Sequence, residues 1–396
     1  MRGKGEGSIF KDARGLWTAI VELPPSDGKR RRKVIRSKDK RTVIDKLGDL
    51  QRELKLRGDL PTADQTVEQW FTYWLDNIAA REVRPKTLGG YRSAVKQHII
   101  PEIGSTRLER LTAAHIRRVT DRVTRLGLTS TYALNVHRIM SSSLEKAYRE
   151  GRISRNPASM TSAPRKSVAA IEAFTLDEAL AVFEHVSRDP VMGARWATSL
   201  LTGARRGEVL GIERDRVADV IDLSWQLQRL KVQANGKPDA PADFEYRHLE
   251  GGLYLTRPKS SSGWRIIPLV DPLRAMLERH MAAVDPGPHG LLFTRSGGRP
   301  IDPDQDSDAW RSVLVETRIE RDVNLHGLRH TAVDLLYLAG VPEDVIQQIV
   351  GQSVLTVTRG YRTRGEVYRQ RLTAAMEIFS AQFTRPEIGT PRADVA

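Results

Sequence analysis

The clearest indication of the fold is the stretch Leu201-Thr202-Gly203-Ala204-Arg205-Arg206-Gly207-Glu208-Val209-Leu210, where two predicted helices meet. Residues 192–201 are typical of a helix, which Gly203 ends, and a second helix is predicted from about Arg206. A carboxylate at Glu208 can hold the guanidinium of Arg205 in place for bidentate contact with a phosphate. The stretch therefore predicts a mainly helical domain with a phosphate-binding arginine at a turn between helices.

Five more side chains suited to phosphate stand at helix starts or turns further along the chain; they are Lys259, His326, Arg329, Gln352 and Tyr361. His326 and Arg329 are three residues apart, so they face the same way on a helix predicted to run to Ala339. Lys259 lies in a polar turn between two strand-like runs. Gln352 follows a predicted helix, and Tyr361 comes nine residues later. These residues indicate a phosphate-binding site.

In this order, the pieces resemble the catalytic domain of the tyrosine recombinases, the phage integrase family. Residues 202–208 match the family's T-G-x-R-x-x-E box, and residues 326–330 match its H-x-L-R-H box. Gly351-Gln352-Ser353 and Tyr361 match a box usually written L-G-H-S, in which a tyrosine comes nine residues after the histidine. Gln352 departs from the His or Trp that is usual at this position. Glutamine can donate a hydrogen bond but cannot carry charge.

The resemblance implies a role for each of these side chains. Tyr361 would attack the scissile phosphate in line, giving a 3′-phosphotyrosine and a free 5′-hydroxyl. Arg205 and Arg329 would hold the non-bridging oxygens as charge builds in the transition state, with Arg205 held by the supporting Glu208. Lys259 would protonate the leaving 5′-oxygen. No metal, nucleotide or other cofactor would be needed.

Two further positions of the predicted site would act through a hydrogen bond or a proton transfer. His326 would donate a hydrogen bond to a phosphate oxygen or take the proton of the tyrosine. Gln352 would act as a weakened donor, because a neutral hydrogen bond contributes about 1–2 kcal/mol less than a charged one. A solvated loop position is the alternative for Lys259, since Arg257 and Arg265 are close to it in the sequence.

The expected architecture is multidomain, mainly α with small β elements. Residues 1–60, a small β-sheet plus helix, resemble the arm-binding domain of integrases. Residues 64–160 resemble their helical, SAM-like core-binding domain. A mixed, mostly α catalytic domain is expected at 172–385, followed by a frayed tail at 386–396.

Local patterns predict particular elements within these domains. Capping boxes at Thr66–Gln69 and Thr175–Glu178 each predict a helix start. Helices are also predicted at 41–57, 85–99, 112–126, 130–150 and 342–350. Strand-like stretches are found at 220–230, 253–256 and 264–269.

The charge balance indicates a polyanionic partner. The 63 Lys and Arg outnumber the 49 Asp and Glu, for a net charge of +14, which favours nucleic acid over a membrane surface. Residues 1–60 alone carry a net charge of +8. Two clusters are predicted to contact DNA, with a solvated surface as the alternative for each; they are Lys29, Arg30, Arg31, Arg32 and Lys33, and Arg117, Arg118 and Arg122.

Composition excludes several classes of protein. With 40% hydrophobic residues, the whole chain is not expected to be disordered. The chain has no cysteine, which excludes disulfide scaffolds, zinc fingers built on cysteine and thiol catalysis. There is no apolar run of bilayer-spanning length, and the polar, Gly-rich N-terminus is unlike a secretory signal. A soluble, cytoplasmic protein acting at the bacterial nucleoid is expected.

Alternatives remain open at several positions. His326 and His330 have the spacing of two metal ligands on one helix face, but no third ligand is apparent nearby, and His330 is expected to pack or cap. Tyr337 and Tyr368 compete with Tyr361 as the nucleophile; Tyr337 is expected in the core, and Tyr368 comes seven residues late. A C-terminal apolar stripe would pack on its own domain or on a neighbouring protomer; it consists of Leu372, Met376, Phe379 and Phe383.

Taken with the resemblance, these features favour a site-specific integrase that integrates or excises a phage or other mobile element through a Holliday junction. Its partners would be double-stranded DNA at core and arm attachment sites and further copies of itself, in a homotetramer on that DNA. An excision (directionality) factor and a host DNA-bending protein are possible helpers, and no membrane is involved. Two rival hypotheses are a DNA-binding protein that has lost catalysis, supported by Gln352 alone, and a relaxing topoisomerase with the same chemistry.

Overall fold

The structure, a computed structural model, describes residues 8–26, 29–57, 65–167, 172–232, 236–258, 264–351 and 366–384. The chain divides into two compact units, residues 1–168 and 169–396. The described residues are mostly helical with small sheets, which confirms the predicted fold class. Among them, no helix is long and apolar enough to cross a membrane.

A three-stranded antiparallel sheet begins the first unit; its strands, in spatial order, are β1 (Ser8–Lys11), β2 (Trp17–Ser26) and β3 (Lys29–Ser37). Helix α1 (Lys40–Arg57) covers one face of this sheet. Ala19 and Val21 alternate with more exposed positions on β2, and they pack with Val43 of α1 in a small core. The run of five cations lies on β3, where Arg32 is exposed opposite Glu22.

A helical bundle forms the rest of the first unit; its helices are α2 (Val67–Tyr73), α3 (Ala80–Glu82), α4 (Pro85–Ala94), α5 (Ile100–Ile103), α6 (Ala113–Arg125) and α7 (Ser130–Arg149). π-helical turns at Trp74–Ala79 and Val95–Ile99 continue α2 and α4. The capping box predicted at Thr66 and Gln69 is present. Trp70 is fully buried and donates from Nε1 to Ser143 Oγ at 3.0 Å, which satisfies its polar atom in the core.

The second unit is mainly helical; its helices are α8 (Leu176–Ser187), α9 (Ala194–Thr202), α10 (Arg206–Leu210), α11 (Leu273–Ala283), α12 (Pro303–Glu316), α13 (Leu325–Leu338), α14 (Glu343–Val350) and α15 (Glu366–Ser380). Its strands are β4 (Val220–Asp222), β5 (Gln226–Arg229), β6 (Tyr246–His248), β7 (Leu253–Thr256), β8 (Ile266–Pro268), β9 (Thr294–Arg295) and β10 (Arg299–Pro300). The predicted capping box at Thr175 and Glu178 begins α8.

The small strands belong to three separate sheets. β4 pairs with β8, β7 lies between β5 and β6, and β9 pairs with β10. The single strand-like stretch predicted at 220–230 is therefore two strands in different sheets. Asp222 Oδ1 accepts a hydrogen bond of 2.9 Å from the backbone N of Ser224, and this turn separates the two strands.

The C-terminal apolar stripe packs within its own unit. Leu372, Met376 and Phe379 on α15 are buried in the core cluster of the second unit. Phe383 follows them, and its ring centre lies 5.2 Å from that of Phe183. Within the described residues, the stripe therefore packs on its own domain, which is the first of the two predicted alternatives.

Candidate active site

The turn between α9 and α10 presents Arg205. α9 ends at Gly203, whose φ of +61° is the left-handed conformation that glycine adopts without strain. Arg205 then caps α10: its backbone N donates to Glu208 Oε2 and its Nη1 donates to Glu208 Oε1, both at 2.8 Å. The side chain of Glu208 is 2% exposed and that of Arg205 is 41% exposed. The predicted contact is present, and it fixes a guanidinium that solvent and ligands can reach.

A second arginine, Arg265, shares the same carboxylate. Its Nη2 donates to Glu208 Oε2 at 2.8 Å, and its Nε donates to the backbone O of Ile349 at 2.8 Å. Burial alone would raise the pKa of Glu208, but Arg265 and Arg205 outweigh burial and hold that pKa below its ordinary value. The carboxylate therefore remains ionised between two guanidiniums.

Arg329 adds a third guanidinium from α13. Its Nη1 donates to the backbone O of Gly203 at 2.7 Å, so it lies beside the turn that presents Arg205. Burial, with the neighbouring charges of Arg205 and Arg265, lowers the pKa of Arg329 to about 9. An anion bound here would relieve that repulsion and raise the pKa again.

Three guanidiniums therefore surround one buried carboxylate, which leaves an excess of positive charge. Among the described residues, neither Arg265 Nη1 nor Arg329 Nη2 has a hydrogen-bond partner, although both atoms are buried. Buried donors without acceptors are costly, and bound acceptor oxygens would satisfy them. The arrangement is therefore suited to a phosphate group.

His326 stands at the start of α13, one turn before His330. The side chain of Asn324 caps this helix by accepting from the backbone N of His326 at 2.9 Å. Burial, followed by the charges of His330, Arg329 and Arg205, lowers the pKa of His326. The two imidazole ring centres are 4.7 Å apart and the rings are perpendicular, so His330 packs on His326. A neutral imidazole at His326 can accept a proton.

Not all of the predicted site lies in the described residues. The structure brings together Arg205, Glu208, His326 and Arg329. Three predicted catalytic residues fall outside the described ranges; they are Lys259, Gln352 and Tyr361. In the described part of the chain, no group of three side chains is placed to hold a metal ion.

Arg265 is absent from the residues predicted for the site. Its sequence signal was weak, since Arg257, Lys259 and Arg265 are three cations near one turn. Tyr337 was wrongly predicted to lie in the core: this residue is 49% exposed on α13. Helical periodicity located the helix but placed this residue on the wrong face, because the buried positions are Ala332, Leu335 and Leu336.

The predicted DNA-contacting clusters have different surroundings. Arg32 and Arg117 are exposed. Arg118 Nε and Arg122 Nη1 each lie 3.3 Å from a carboxylate oxygen of Glu102, so this carboxylate offsets part of their charge. DNA contact by either cluster stays a prediction.

Comparisons with known proteins identify the family. Two family models match: the phage integrase N-terminal SAM-like domain over residues 66–123 and the phage integrase family over residues 198–366. An integrase of Saccharopolyspora erythraea is 30% identical over 407 residues, which cover 90% of this chain and 92% of the relative. The chain belongs to the phage integrase family. As a family member it is a DNA-binding tyrosine site-specific recombinase.

Other integrases are similar along nearly their whole length. An integrase of Streptomyces ambofaciens is 27% identical, with 95% of each chain covered. Among solved structures, the Tn1549 transposon integrase in complex with a circular intermediate DNA has a TM-score of 0.62 at 18% identity, covering 78% of this chain and 99% of that one. A lambda integrase tetramer bound to a Holliday junction has a TM-score of 0.55 at 16% identity, covering 88% and 96%. These structures share the integrase fold with this chain.

Proposed function

We propose that this chain is a site-specific integrase that cleaves and rejoins DNA through a 3′-phosphotyrosine intermediate and a Holliday junction, and so integrates or excises a phage or other mobile element. The observation that carries the proposal is the cluster of Arg205, Arg265 and Arg329 around Glu208. Among the described residues, two buried N–H donors of this cluster have no acceptor, and a bound anion would supply acceptors. A scissile phosphodiester has the charge and the acceptor oxygens that such a cluster needs.

Each side chain has a defined task in the proposed reaction. The Oη of Tyr361 attacks phosphorus in line, so that a bond from Oη to phosphorus forms while the bond from phosphorus to the 5′-oxygen breaks. Arg205 and Arg329 donate to the non-bridging oxygens as their charge increases. Neutral His326 takes the proton of the tyrosine, and Lys259 gives a proton to the 5′-oxygen. The covalent link keeps the phosphodiester energy, so rejoining needs no nucleotide.

The remaining parts of the chain would deliver DNA to this site. Residues 1–60 would bind arm-type sites, in which case the cations of β3 would contact phosphates. Residues 64–160 and 172–385 would each bind the core site. Arg117 on α6 is exposed for such a contact, whereas Arg118 and Arg122 would share their charge with Glu102. Contacts of this kind would bind DNA with little dependence on sequence.

Strand exchange would require four copies on two duplexes. The lambda integrase tetramer on a Holliday junction, whose fold this chain shares, supports that assembly. An excision factor and a host DNA-bending protein would set the direction of the reaction at the bacterial nucleoid. Gln352, in the position of the usual histidine, would donate a neutral hydrogen bond to the phosphate.

A nicked suicide duplex, tiled from the DNA that flanks this gene, tests the proposal. We expect a denaturant-resistant protein–DNA adduct that is lost in Tyr361→Phe. Tyr337→Phe is the matched control, because Tyr337 is exposed on α13, and it should form the adduct normally. An adduct that persists in Tyr361→Phe would contradict the mechanism. Specific binding without any adduct would favour a DNA-binding protein without catalysis, and relaxation of plasmids that lack attachment sites would favour a topoisomerase.

A further inference from the structure

Arg265 has no task in the proposed reaction, although it is held firmly beside the phosphate-binding cluster. Its backbone O accepts from the backbone N of Leu223 at 2.9 Å. Its Nε donates to the backbone O of Ile349 and its Nη2 donates to Glu208 Oε2, both at 2.8 Å. The side chain is 3% exposed. Backbone and guanidinium are therefore both fixed, and the charge of Arg265 stays next to Glu208.

The carboxylate of Glu208 is shared between Arg265 and Arg205. Its Oε1 accepts from Arg205 Nη1 at 2.8 Å. Its Oε2 accepts from the backbone N of Arg205 and from Nη2 of Arg265, also at 2.8 Å. One carboxylate thus fixes the backbone and the guanidinium of Arg205 together. The orientation of Arg205 therefore depends on a group that Arg265 also holds.

The charge of Glu208 decides how firmly it holds Arg205. Three cations face this carboxyl among the described residues: Arg205 from the turn before α10, Arg265 from just before β8, and Arg329 from α13. Burial alone would raise the pKa of Glu208, and Arg265 is the largest of the influences that lower it. A protonated carboxyl has no charge and accepts weaker hydrogen bonds, so it would hold a guanidinium less firmly.

We propose that Arg265 is a positioning residue for transition-state stabilisation: its charge keeps Glu208 ionised, and ionised Glu208 keeps the guanidinium of Arg205 directed at the scissile phosphate. The inference rests on the proposed function of Arg205. Arg265 itself neither touches the DNA nor transfers a proton in this scheme. Because it acts through Glu208, its removal should make cleavage depend on the ionisation of a carboxyl group.

Loss of Arg265 should therefore add a new pH dependence to cleavage. Without this cation the pKa of Glu208 is higher than in the unmodified protein, because burial is then opposed by less positive charge. A carboxyl with a raised pKa is ionised at high pH and takes up a proton as the pH falls. The orientation of Arg205 is thus lost towards low pH. In the unmodified protein Glu208 stays ionised, since its pKa lies below the ordinary value.

Single-turnover adduct formation on the nicked suicide duplex, measured with the full chain from about pH 8.5 to about pH 6, tests the inference. Each rate is divided by that of the unmodified protein at the same pH, which removes titrations common to both, such as that of His326. In Arg265→Met and Arg265→Gln, this ratio should fall by about fivefold or more towards low pH. Arg265→Gln keeps an N–H donor beside Glu208, and it provides the result if Arg265→Met folds poorly.

Three controls locate the effect at Glu208. The double variant Arg265→Met with Glu208→Gln has no carboxyl to titrate here, so its ratio should not change with pH. Arg265→Lys keeps a cation beside Glu208, and its ratio should also be constant, although at a lower rate. Arg311→Met removes an exposed arginine that pairs with Asp308 on α12, and it should match the unmodified protein throughout.

A purely structural role for Arg265 would give a different pH dependence. Without Arg265, a neutral Glu208 is easier to bury than an ionised one, so the folded variant is less stable at high pH than at low pH. Loss of folded protein would therefore lower the ratio towards high pH. Loss of positioning lowers it towards low pH, which separates the two roles by the sign of the change.

Each outcome has a distinct meaning. A ratio that falls towards low pH in the single variants and stays constant in the double variant supports the inference. A ratio that is constant in the single variants, or lower at high pH, overturns it, because Arg265 would then serve folding alone. An equal fall in the double variant also overturns it, because Glu208 would not be the group that titrates. The proposed function fails separately, if the unmodified protein forms no adduct or if the adduct persists in Tyr361→Phe.

Discussion

Arg265 Nη2 lies 2.8 Å from Glu208 Oε2, and the two side chains are 3% and 2% exposed. The pair therefore lies in the interior, where an unpaired charge is costly. Glu208 in turn positions Arg205, the guanidinium of the cluster that is most open to solvent. Arg265 thus helps to hold Arg205 in place through Glu208.

Arg265→Met should lower the free energy of unfolding by about 3–5 kcal/mol, because Glu208 would lose its buried partner. Urea unfolding of the full chain measures this. Arg311→Met is the control: Arg311 pairs with Asp308 at the surface, and its loss should cost about 1 kcal/mol or less. In the double variant Arg265→Met with Glu208→Gln, part of the loss should be recovered. Equal, small losses at Arg265 and Arg311 would contradict the buried pair.

Gly203→Ala should reduce both stability and adduct formation. A Cβ atom here would lie 2.8 Å from Val350 Cγ1, and the φ of +61° would be strained for alanine. The expected loss is about 1–3 kcal/mol from crowding, in addition to strain, with displacement of the carbonyl that accepts from Arg329.

Gly340→Ala is its matched control. Gly340 has a φ of +73°, but nothing lies within 4 Å of the added Cβ. It should show the strain alone and retain cleavage. Similar losses of cleavage in the two variants would show that crowding against Val350 is not the cause.

His326 and His330 should make stability depend on pH. Burial, with Arg329 and other cations nearby, lowers the pKa of both His326 and His330, so folding favours the neutral imidazoles. The unfolded chain takes up these protons first, near pH 6.5; stability is therefore complete above about pH 6.5 and declines as the pH falls below it.

Melting temperatures between pH 7.5 and 5.5 should therefore fall less steeply in His326→Gln than in the unmodified chain. His248→Gln, at an exposed position of the same unit, is the matched control. An equal change of slope in the two variants would contradict the assignment to His326 and His330.

Gln352→His should increase the rate of adduct formation about tenfold, because a charged donor contributes about 1–2 kcal/mol more than a neutral one. Single-turnover cleavage of the suicide duplex measures the change. Gln347→His on α14 controls for adding an imidazole nearby and should have no effect. An unchanged rate in Gln352→His would show that glutamine is as good a donor as histidine in this site, and a lower rate would show that it is the better one.

Local patterns predicted local structure well. The capping boxes at Thr66 and Thr175 and the contact between Arg205 and Glu208 each join residues three apart, and all three are present. Contacts of this length depend on helix geometry, which the sequence pattern reports directly.

Long-range contacts could not be predicted in this way. Arg265 and Glu208 are 57 positions apart, and the tertiary fold that also places Arg265 against the backbone O of Ile349 brings them together. Tyr337 illustrates the same limit, because its exposure depends on which face of α13 meets the core. The division of residues 220–230 between two sheets likewise depends on strand partners that lie far along the chain.

The hydrogen bond from Arg265 to the carbonyl of Ile349 also has a use in protein engineering. It holds the last turn of α14, and Gly351 then ends that helix in a left-handed conformation, with a φ of +66°. Gly351 is therefore a suitable junction for chimaeras. A tyrosine-bearing segment from a relative can be grafted after it, and the arginines that precede it keep the hydrogen bonds that hold them in place.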